Sequence, residues 1–591
     1  MNDTTVRKFY NVCKTTLFPL VLIAFSLLKV NMGADITDTA YSLGNYSGFA
    51  EKSGVWFMLT FIPNAVGSLL RFLPFGETML GMKIYTGIIV AAMSLLGYRF
   101  FMTKMPAWLS FLSQLAAIGM CWAPSVVLYH YLTYFFFLLA SILLFRGLAG
   151  TKREYCLFAA GVLLGINTFV KFPGNGIEVL LIFALWAYGL MTQKDFSDVV
   201  RQTLLCVAGY IVSFLVCVVS LNIVYGKGAL GVMIGGVFGI AGNASDYTFS
   251  QMILSILDAY VHGAKWAVYM VLCILPGIPF FVLWPGKYLK LRKIVYCVCI
   301  AFLFFVLGRW GMYNFRYYQK ESALQWGAIF LLISIGIDIW MIGTRHLNND
   351  WKLIGMISLV NILVIPLGSN NYIWPVLNDL FFIAPVTFWI SYRFIRWGRA
   401  YLDETGKVPL FAVKAMLGGV VIAFFIQTMG VGIFYVFMDG EDGSPRNSFV
   451  TDNDVLRGMR TTKENAGQLS DISRFMSKNI DPDKKLIVFG DIPGMCYFMD
   501  RECAIETTWP DLASYPAEDF EEQLSAVKQE TAGAAQKAPV IIRSQKQNDD
   551  PDGIEKKAQA LEEFINESGY KEVFKNSGYT VYATDGVDIP E

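Results

Sequence analysis

Over 591 residues the chain is 55% apolar and 15% aromatic, with 16% of its residues charged and a mean hydropathy of +0.47. That is too apolar for a soluble protein of this size and indicates a polytopic membrane protein. The net charge of +1 hides a split: residues 1–438 carry 31 Lys and Arg against 17 acids, while residues 439–591 carry 17 against 30. The split predicts a basic membrane domain, 1–438, followed by an acidic water-soluble domain, 439–591; nucleic acid is not an expected partner.

A membrane span needs roughly 20 mostly apolar residues. The first such run, residues 15–28, ends in KVNMGAD without a small-x-small cleavage site. It reads as an uncleaved span with Lys29 snorkelling to the interface. A long loop of about 31–78 follows and holds Asp35 and Asp38 in VNMGADITDTAYSLGNYSGF. Its later part, GFAEKSGVWFMLTFIPNAVGSLLRFLPFG, breaks into short apolar groups, which suits one or two interfacial helices. Further spans centre near residues 89, 115, 138, 163, 184, 213, 275, 300, 332, 360, 387 and 424, about thirteen in all with the first. Those near 115, 163 and 360 carry the weakest signal. A second long loop, about 225–265, is glycine-rich and then amphipathic, and reads either as a flexible gate or as an interfacial loop.

The loops alternate in charge. Placing the N-terminus in the cytoplasm puts Arg99 and Lys104, Arg146 with Lys152 and Arg153, Lys194 and Arg201, PGKYLKLRK, GTRHLNNDWK and RFIRWGRAYLDETGK on the inside, as the positive-inside rule requires. An odd number of spans then places the loop with Asp35 and Asp38, and the whole of 439–591, outside. The expected location is a cell membrane, crossed many times, with the C-terminal domain extracytoplasmic.

The acidic tail alternates helix and strand signals. ENAGQLSDISRFMSKNI reads as an amphipathic helix, KKLIVFG and APVIIRS as buried strands, 554–568 as a helix and KEVFKNSGYTVYAT as a closing hairpin. These make a small α/β domain of roughly 120 residues. FGDIPGM puts a Gly and an Asp at a strand end, where open α/β sheets often bind ligands, but no GxGxxG, Walker A loop, HExxH or serine elbow is present. The ten cysteines form no metal pattern; of them only Cys496 and Cys503 lie in the tail, at a spacing that permits a disulfide.

Charged groups near a bilayer are costly, which makes each one a functional candidate. On the expected outer side these are Asp35 and Asp38; Arg71 and Glu77; His130; Lys171; Asp246; His262 and Lys265; Arg309, Arg316, Lys320 and Glu321 in GRWGMYNFRYYQKES; and Asn370, Asn371 and Asp379 in GSNNYIWPVLND. Carboxylates deprotonate a hydroxyl or amine within hydrogen-bond reach, cations neutralise a departing phosphate, and aromatics and amides hold a sugar. Asp38 is also readable as the cap of a helix over TAYSLGNY, Lys171 as a snorkelling cation, and Asn370–Asn371 as a turn.

DITDTAYSLGNY after the first span resembles the first extracytoplasmic loop of the GT-C glycosyltransferases, among them protein O-mannosyltransferases and aminoarabinose lipid A transferases. That family commonly shows an acidic pair followed by an aromatic, D-E-x-x-Y. Here Asp38 and Tyr41 match the first acid and the aromatic; Thr39 stands in place of the Glu, and Asp35 is the candidate second acid. The resemblance extends to the span count, the long first loop and the outer C-terminal domain. It implies an α-helical polytopic membrane protein with a C-terminal extracytoplasmic α/β domain. The implied activity is inverting transfer of a hexose or pentose from a polyprenyl-phosphate carrier to an envelope glycan, lipid or protein acceptor. Asp38, with Asp35, would be the catalytic acid pair. Lys171, Arg309 and Arg316 would contact donor phosphate, and Tyr41, His130, Asn370 and Asn371 the substrates. A divalent metal, Mg or Mn, is an open expectation, since an Asp35/Asp38 pair alone supplies few oxygen ligands. The rival reading is a transporter or flippase for a lipid-linked or envelope substrate, which predicts internal repeats and broken helices that the sequence does not display.

Overall fold

The structure, a computed structural model, describes residues 3–50, 54–122, 125–149, 154–243, 249–282, 288–311, 314–316, 319–401, 410–512, 515–531, 537–545 and 551–584. Helices occupy every expected span position. Among the described residues ten are long and apolar enough to cross a membrane: Arg7–Ser26, Met79–Phe101, Leu128–Ala149, Gly174–Met191, Phe196–Tyr225, Ser250–Val282, Leu289–Arg309, Lys320–Gly343, Asn349–Gly368 and Phe411–Phe434. Three more are helical but fall short by different routes. Ala107–Met120 and Tyr155–Thr168 have 14 residues each. Ile383–Tyr401 carries Arg393, Arg396 and Arg399 in its second half.

Local chemistry sets several of the helix ends. The Thr78 hydroxyl accepts the Gly81 amide at 3.1 Å, and Asn348 accepts the Trp351 amide at 3.1 Å, each satisfying a first-turn N–H that has no partner within its helix. Phe196–Tyr225 stops at Gly226, whose φ of +91° suits no side chain. This helix packs closely along Tyr155–Thr168, where a Cβ on Gly161 would collide with the Cys206 carbonyl. Small residues at such a crossing let two backbones approach where lipid gives no hydrophobic drive.

The loop after the first span folds as helix Asp38–Ser47, a short helix Val55–Leu59 and helix Phe61–Arg71. The second long loop is also mostly helical, with Ala229–Asn243 and then a helix starting at Phe249 that runs on to Val282.

The tail contains a small pair, β1 Ser448–Phe449 and β2 Arg460–Thr461, and a four-stranded sheet of β3 Leu486–Phe489, β4 Val540–Ser544, β5 Lys571–Lys575 and β6 Tyr579–Ala583. The sheet order is β3-β4-β6-β5, with β3 and β4 parallel and the rest antiparallel. Alternation along the strands assigns two faces. Leu486, Val488, Val540 and Ile542 cluster with Leu469, Ile472 and Met476 of helix Lys463–Asn479. Ile487, Phe489 and Ile541 cluster with Phe520 and Leu524 of Ala517–Thr531 and with Leu561 and Phe564 of Pro551–Glu567. Helix 517–531 escaped the sequence reading. Cys496 and Cys503 form no disulfide.

The first of these cores does not stop at the tail. It also contains Ile36, Ala40, Leu43, Tyr46, Met79 and Met82, so the loop after the first span and the sheet domain share one hydrophobic interior. Backbone bonds reinforce the join: Gly33 donates to Arg460 at 2.7 Å, Arg460 to Asn31 at 2.7 Å, Met79 to Val455 at 2.9 Å and Gly494 to Ile36 at 3.0 Å. Asp439, buried and paired with Arg446 at 3.4 Å, accepts the Ala34 amide at 3.0 Å. The Asp35–Asp38 segment therefore lies on the same side of the helical body as the C-terminal domain.

Candidate active site

Asp35 precedes helix Asp38–Ser47 and is almost fully buried, at 2% exposure. One of its oxygens accepts the Thr37 amide at 2.9 Å and the Thr37 hydroxyl at 2.6 Å; the other accepts the Thr39 amide at 2.9 Å. The capping role thus falls to Asp35 rather than to Asp38. Burial raises the Asp35 carboxyl, and these hydrogen bonds oppose the rise.

Asp38 begins the helix and is half-buried. Its carboxyl is pushed up to about 7, first by burial, then by the charge of Asp35, then by that of Asp491 from the C-terminal domain. A carboxylate in that state takes a proton readily near neutral pH, which is what a general base requires.

Asp35 also lines a cavity of about 120 Å³ at the head of the first span. Lys29, Lys83 and Thr39 line it too, together with Trp122, Tyr131 and Tyr435. Lys29 does not snorkel outward. Its ammonium turns inward and donates to the carbonyls of Val431 at 3.2 Å and Tyr435 at 2.6 Å. Burial brings it down to about 7, with the Lys83 charge adding to the fall. Lys83, 4% exposed, donates to the carbonyls of Met32 at 2.8 Å and Gly33 at 2.7 Å. An ammonium has three N–H bonds, so each lysine keeps one beyond these carbonyls. The Thr39 hydroxyl, on a fully buried residue, lines the same hollow beside the Asp35 carboxyl, whose rise it helps to oppose. Two lysines, each with a spare N–H when protonated, and the Thr39 hydroxyl thus meet in one hollow, a donor set that fits an oxygen-rich anion.

The remaining candidates form a second group. Lys171 lies 5.7 Å from the Tyr129 ring centre, and His130 packs on that ring at 4.2 Å. Burial lowers Lys171 to about 8, against the pull of Glu178. Beneath it Glu178 accepts from Asn167, and Asn175 donates to Thr133 at 2.6 Å, a satisfied buried network. The Gly368 carbonyl presses on Gly174, bringing the 369–371 turn close to the Lys171 segment. Asn371 donates to Ser369 at 2.7 Å and is exposed; Asn370 is half-buried.

Arg309 and Arg316 are exposed and line no cavity with Asp35. Gln427 donates to the Arg316 carbonyl at 3.4 Å, which fixes that segment near the end of Phe411–Phe434 where Lys29 is bonded. Tyr41 stands one helical turn beyond Asp38, with its ring 5.4 Å from that of Trp509. Arg71 pairs with Glu77 at 3.9 Å, and His262 with Asp258 at 3.2 Å. Asp246 lies outside the described residues. Among the described residues no three His, Cys, Asp or Glu side chains gather in a metal-ligand set.

Sequence reasoning missed Lys83, saw Asp491 as a strand-end acid without placing it beside Asp38, and misread Lys29. Lys83 carried one usable signal, a lysine a single turn inside an apolar span.

No family model matches the chain, and no curated protein does. It is similar to solved structures of ArnT from Cupriavidus metallidurans bound to undecaprenyl phosphate (12% identity, TM-score 0.42, covering 97% of this chain and 98% of that one). It is similar also to the Archaeoglobus fulgidus oligosaccharyltransferase in complex with Zn and sulfate (11% identity, TM-score 0.47, 89% and 68%). A third is archaeal oligosaccharyltransferase AglB from Archaeoglobus fulgidus with an inhibitory peptide and a dolichol-phosphate (12% identity, TM-score 0.43, 90% and 70%). The acid Asp38 and the lysine-lined hollow flank the same helix start, at the side of the body that carries the sheet domain.

Proposed function

We propose that this protein is a membrane glycosyltransferase that moves a sugar from a polyprenyl-phosphate carrier to an acceptor hydroxyl or amine of the cell envelope, at the outer face. The observation that carries the reading is the hollow where Lys29, Lys83 and Thr39 converge beside the Asp35–Asp38 helix start.

The donor's phosphate would sit in that hollow, and its charge would restore the proton that burial draws from Lys29. The acceptor oxygen or nitrogen bonds to the anomeric carbon while the bond from that carbon to the carrier phosphate oxygen breaks. Asp38 takes the acceptor's proton, and the departing polyprenyl phosphate keeps the electron pair as negative charge beside Lys29 and Lys83. Attack opposite the leaving group inverts the anomeric centre. Arg309 and Arg316, at the same end of the body, would meet the carrier headgroup as it arrives from the lipid. Lys171, His130, Asn370 and Asn371 would serve a more distant part of a substrate.

The test is transfer from a labelled polyprenyl-phosphate sugar by purified protein in membranes. Loss of product with Asp38→Asn, at unchanged polyprenyl-phosphate binding, supports the reading. Movement of the lipid across the bilayer without covalent product would instead establish the transporter alternative.

A further inference from the structure

The C-terminal domain brings two side chains to helix Asp38–Ser47: Trp509 against Tyr41, and Asp491, whose charge is felt at Asp38. Asp491 follows β3 on a turn where Gly490 has φ +100° and Asp491 itself φ +59°. The Asp491 amide donates to the buried carboxylate of Asp511. Asp511 stands two residues beyond Trp509, so one carboxylate ties the Asp491 turn to the Trp509 segment. That segment has its own bracing: Trp509 donates its amide to the Thr507 hydroxyl at 3.0 Å, and Lys557 donates to the Leu512 carbonyl at 2.8 Å. The whole assembly is pinned to the first loop by the Gly494–Ile36 bond.

Tyr41 and Trp509 meet at 59°, neither stacked nor fully covered, and both are half-buried. Tilted rings leave part of each face open. Asp38 and Asp491, also half-buried, lie close enough for their charges to interact. Thus two aromatic rings and two carboxylates, Asp38 itself among them and half of them from each domain, gather at helix Asp38–Ser47.

Resting on the glycosyltransferase reading above, we infer that Trp509 and Asp491 form with Tyr41 the acceptor subsite, and that the acceptor is a neutral carbohydrate. Aromatic faces pack against the C–H faces of a sugar, and carboxylates accept its hydroxyl hydrogens. Two neighbouring carboxylates repel a phosphorylated or carboxylated acceptor, which excludes lipid phosphates from this side. Trp509 is then a specificity determinant that touches substrate, and Asp491 both orients an acceptor hydroxyl toward Asp38 and holds up the proton affinity of Asp38.

The experiment uses the full chain in lipid nanodiscs. The probes are neutral methyl glycosides (of mannose, glucose, galactose and arabinose), glucose 6-phosphate as the charged control, and polyprenyl phosphate as a separate donor probe. Saturation-transfer NMR reads which sugar protons touch the protein. At least one neutral glycoside is expected to bind. Trp509→Ala should weaken it about tenfold or more, and Trp509→Phe should retain it within about threefold. Glucose 6-phosphate should bind worse than glucoside, and Asp491→Asn should narrow that difference. All variants should keep wild-type polyprenyl-phosphate affinity and melting temperature. Absence of glycoside binding to the wild type, equal binding by Trp509→Ala, or a preference for glucose 6-phosphate would overturn the inference. Failure of the wild type to bind polyprenyl phosphate would instead count against the glycosyltransferase reading, leaving the glycoside result to be judged by itself.

Discussion

Asp35 accepts the Thr39 backbone amide at 2.9 Å, while the side chain of the same Thr39 lines the hollow that holds Lys29 and Lys83. One residue thus serves the acidic loop through its main chain and the hollow through its side chain.

Replacing Thr39 by Val removes that hydroxyl at nearly constant shape. The melting temperature should change little, whereas polyprenyl-phosphate affinity should fall about threefold to tenfold, the loss of about one hydrogen bond to a charged group. Parallel thermal unfolding and ligand titration check this. A loss of stability without a loss of affinity would remove Thr39 from the phosphate site.

Asp38→Asn should lower the rate of transfer by about a hundredfold or more with donor affinity unchanged, the range expected on losing a general base. In the wild type the rate should climb as pH rises through about 7, where Asp38 loses its proton. Single-turnover rates across that interval decide the matter. A flat profile would mean that Asp38 does not carry the acceptor's proton.

The same group affects folding in the opposite sense. The Asp38 carboxyl binds its proton more tightly folded than unfolded. Its contribution is thus intact at low pH and is lost as pH climbs from the ordinary carboxylate range to about 7. Asp38→Asn should escape that loss. The variant's melting temperature should exceed the wild type's by a margin that widens between about pH 5 and pH 8.

Lys83→Gln should weaken polyprenyl-phosphate binding by about tenfold or more and also lower stability, because the Met32 and Gly33 carbonyls lose a charged donor. Lys171→Gln, whose ammonium faces Tyr129 instead, should change donor affinity less than threefold, or by about 0.6 kcal/mol. Equal effects at both positions would merge the two groups into one site.

Gly494 sits against Ala40, and a Cβ there would strike both Ala40 and the Ile36 carbonyl. Gly494→Val should therefore pry the sheet domain from the first loop while leaving its own core intact. Limited proteolysis at the start of the tail should accelerate, and transfer should fall together with it.

How much of this could be read beforehand varied with the range of the signal. Spans showed plainly, because about 20 apolar residues in a row admit few other structures. The weak signal near 115 and 163 became short helices, while the expected weakness near 360 became a full-length one, Asn349–Gly368. Helix 517–531 was hidden by its own surface: AEDFEEQLSAVKQET buries only Phe520, Leu524 and Val527. At the site, Asp35 and Asp38 stood out as acids just past a span. Asp491 was noticed as a strand-end acid in FGDIPGM, but nothing local could tell it that its neighbour would be Asp38. Lys29 and Lys83 were obscured for the opposite reason, since a lysine at the edge of a span ordinarily reaches for water, and only the fold reveals carbonyls turned inward to receive it.

The Ala34–Asp439 bond joins residues 405 positions apart in the chain. Synthesis delivers the acidic loop early and its clasp very late, after every intervening helix has been made. A half-finished chain already inserted in the bilayer would own the reactive carboxylates yet lack the surface that orders them. Under the proposed function, activity would begin only once the last stretch had folded against the acidic loop, so that a truncated or stalled product stays inert.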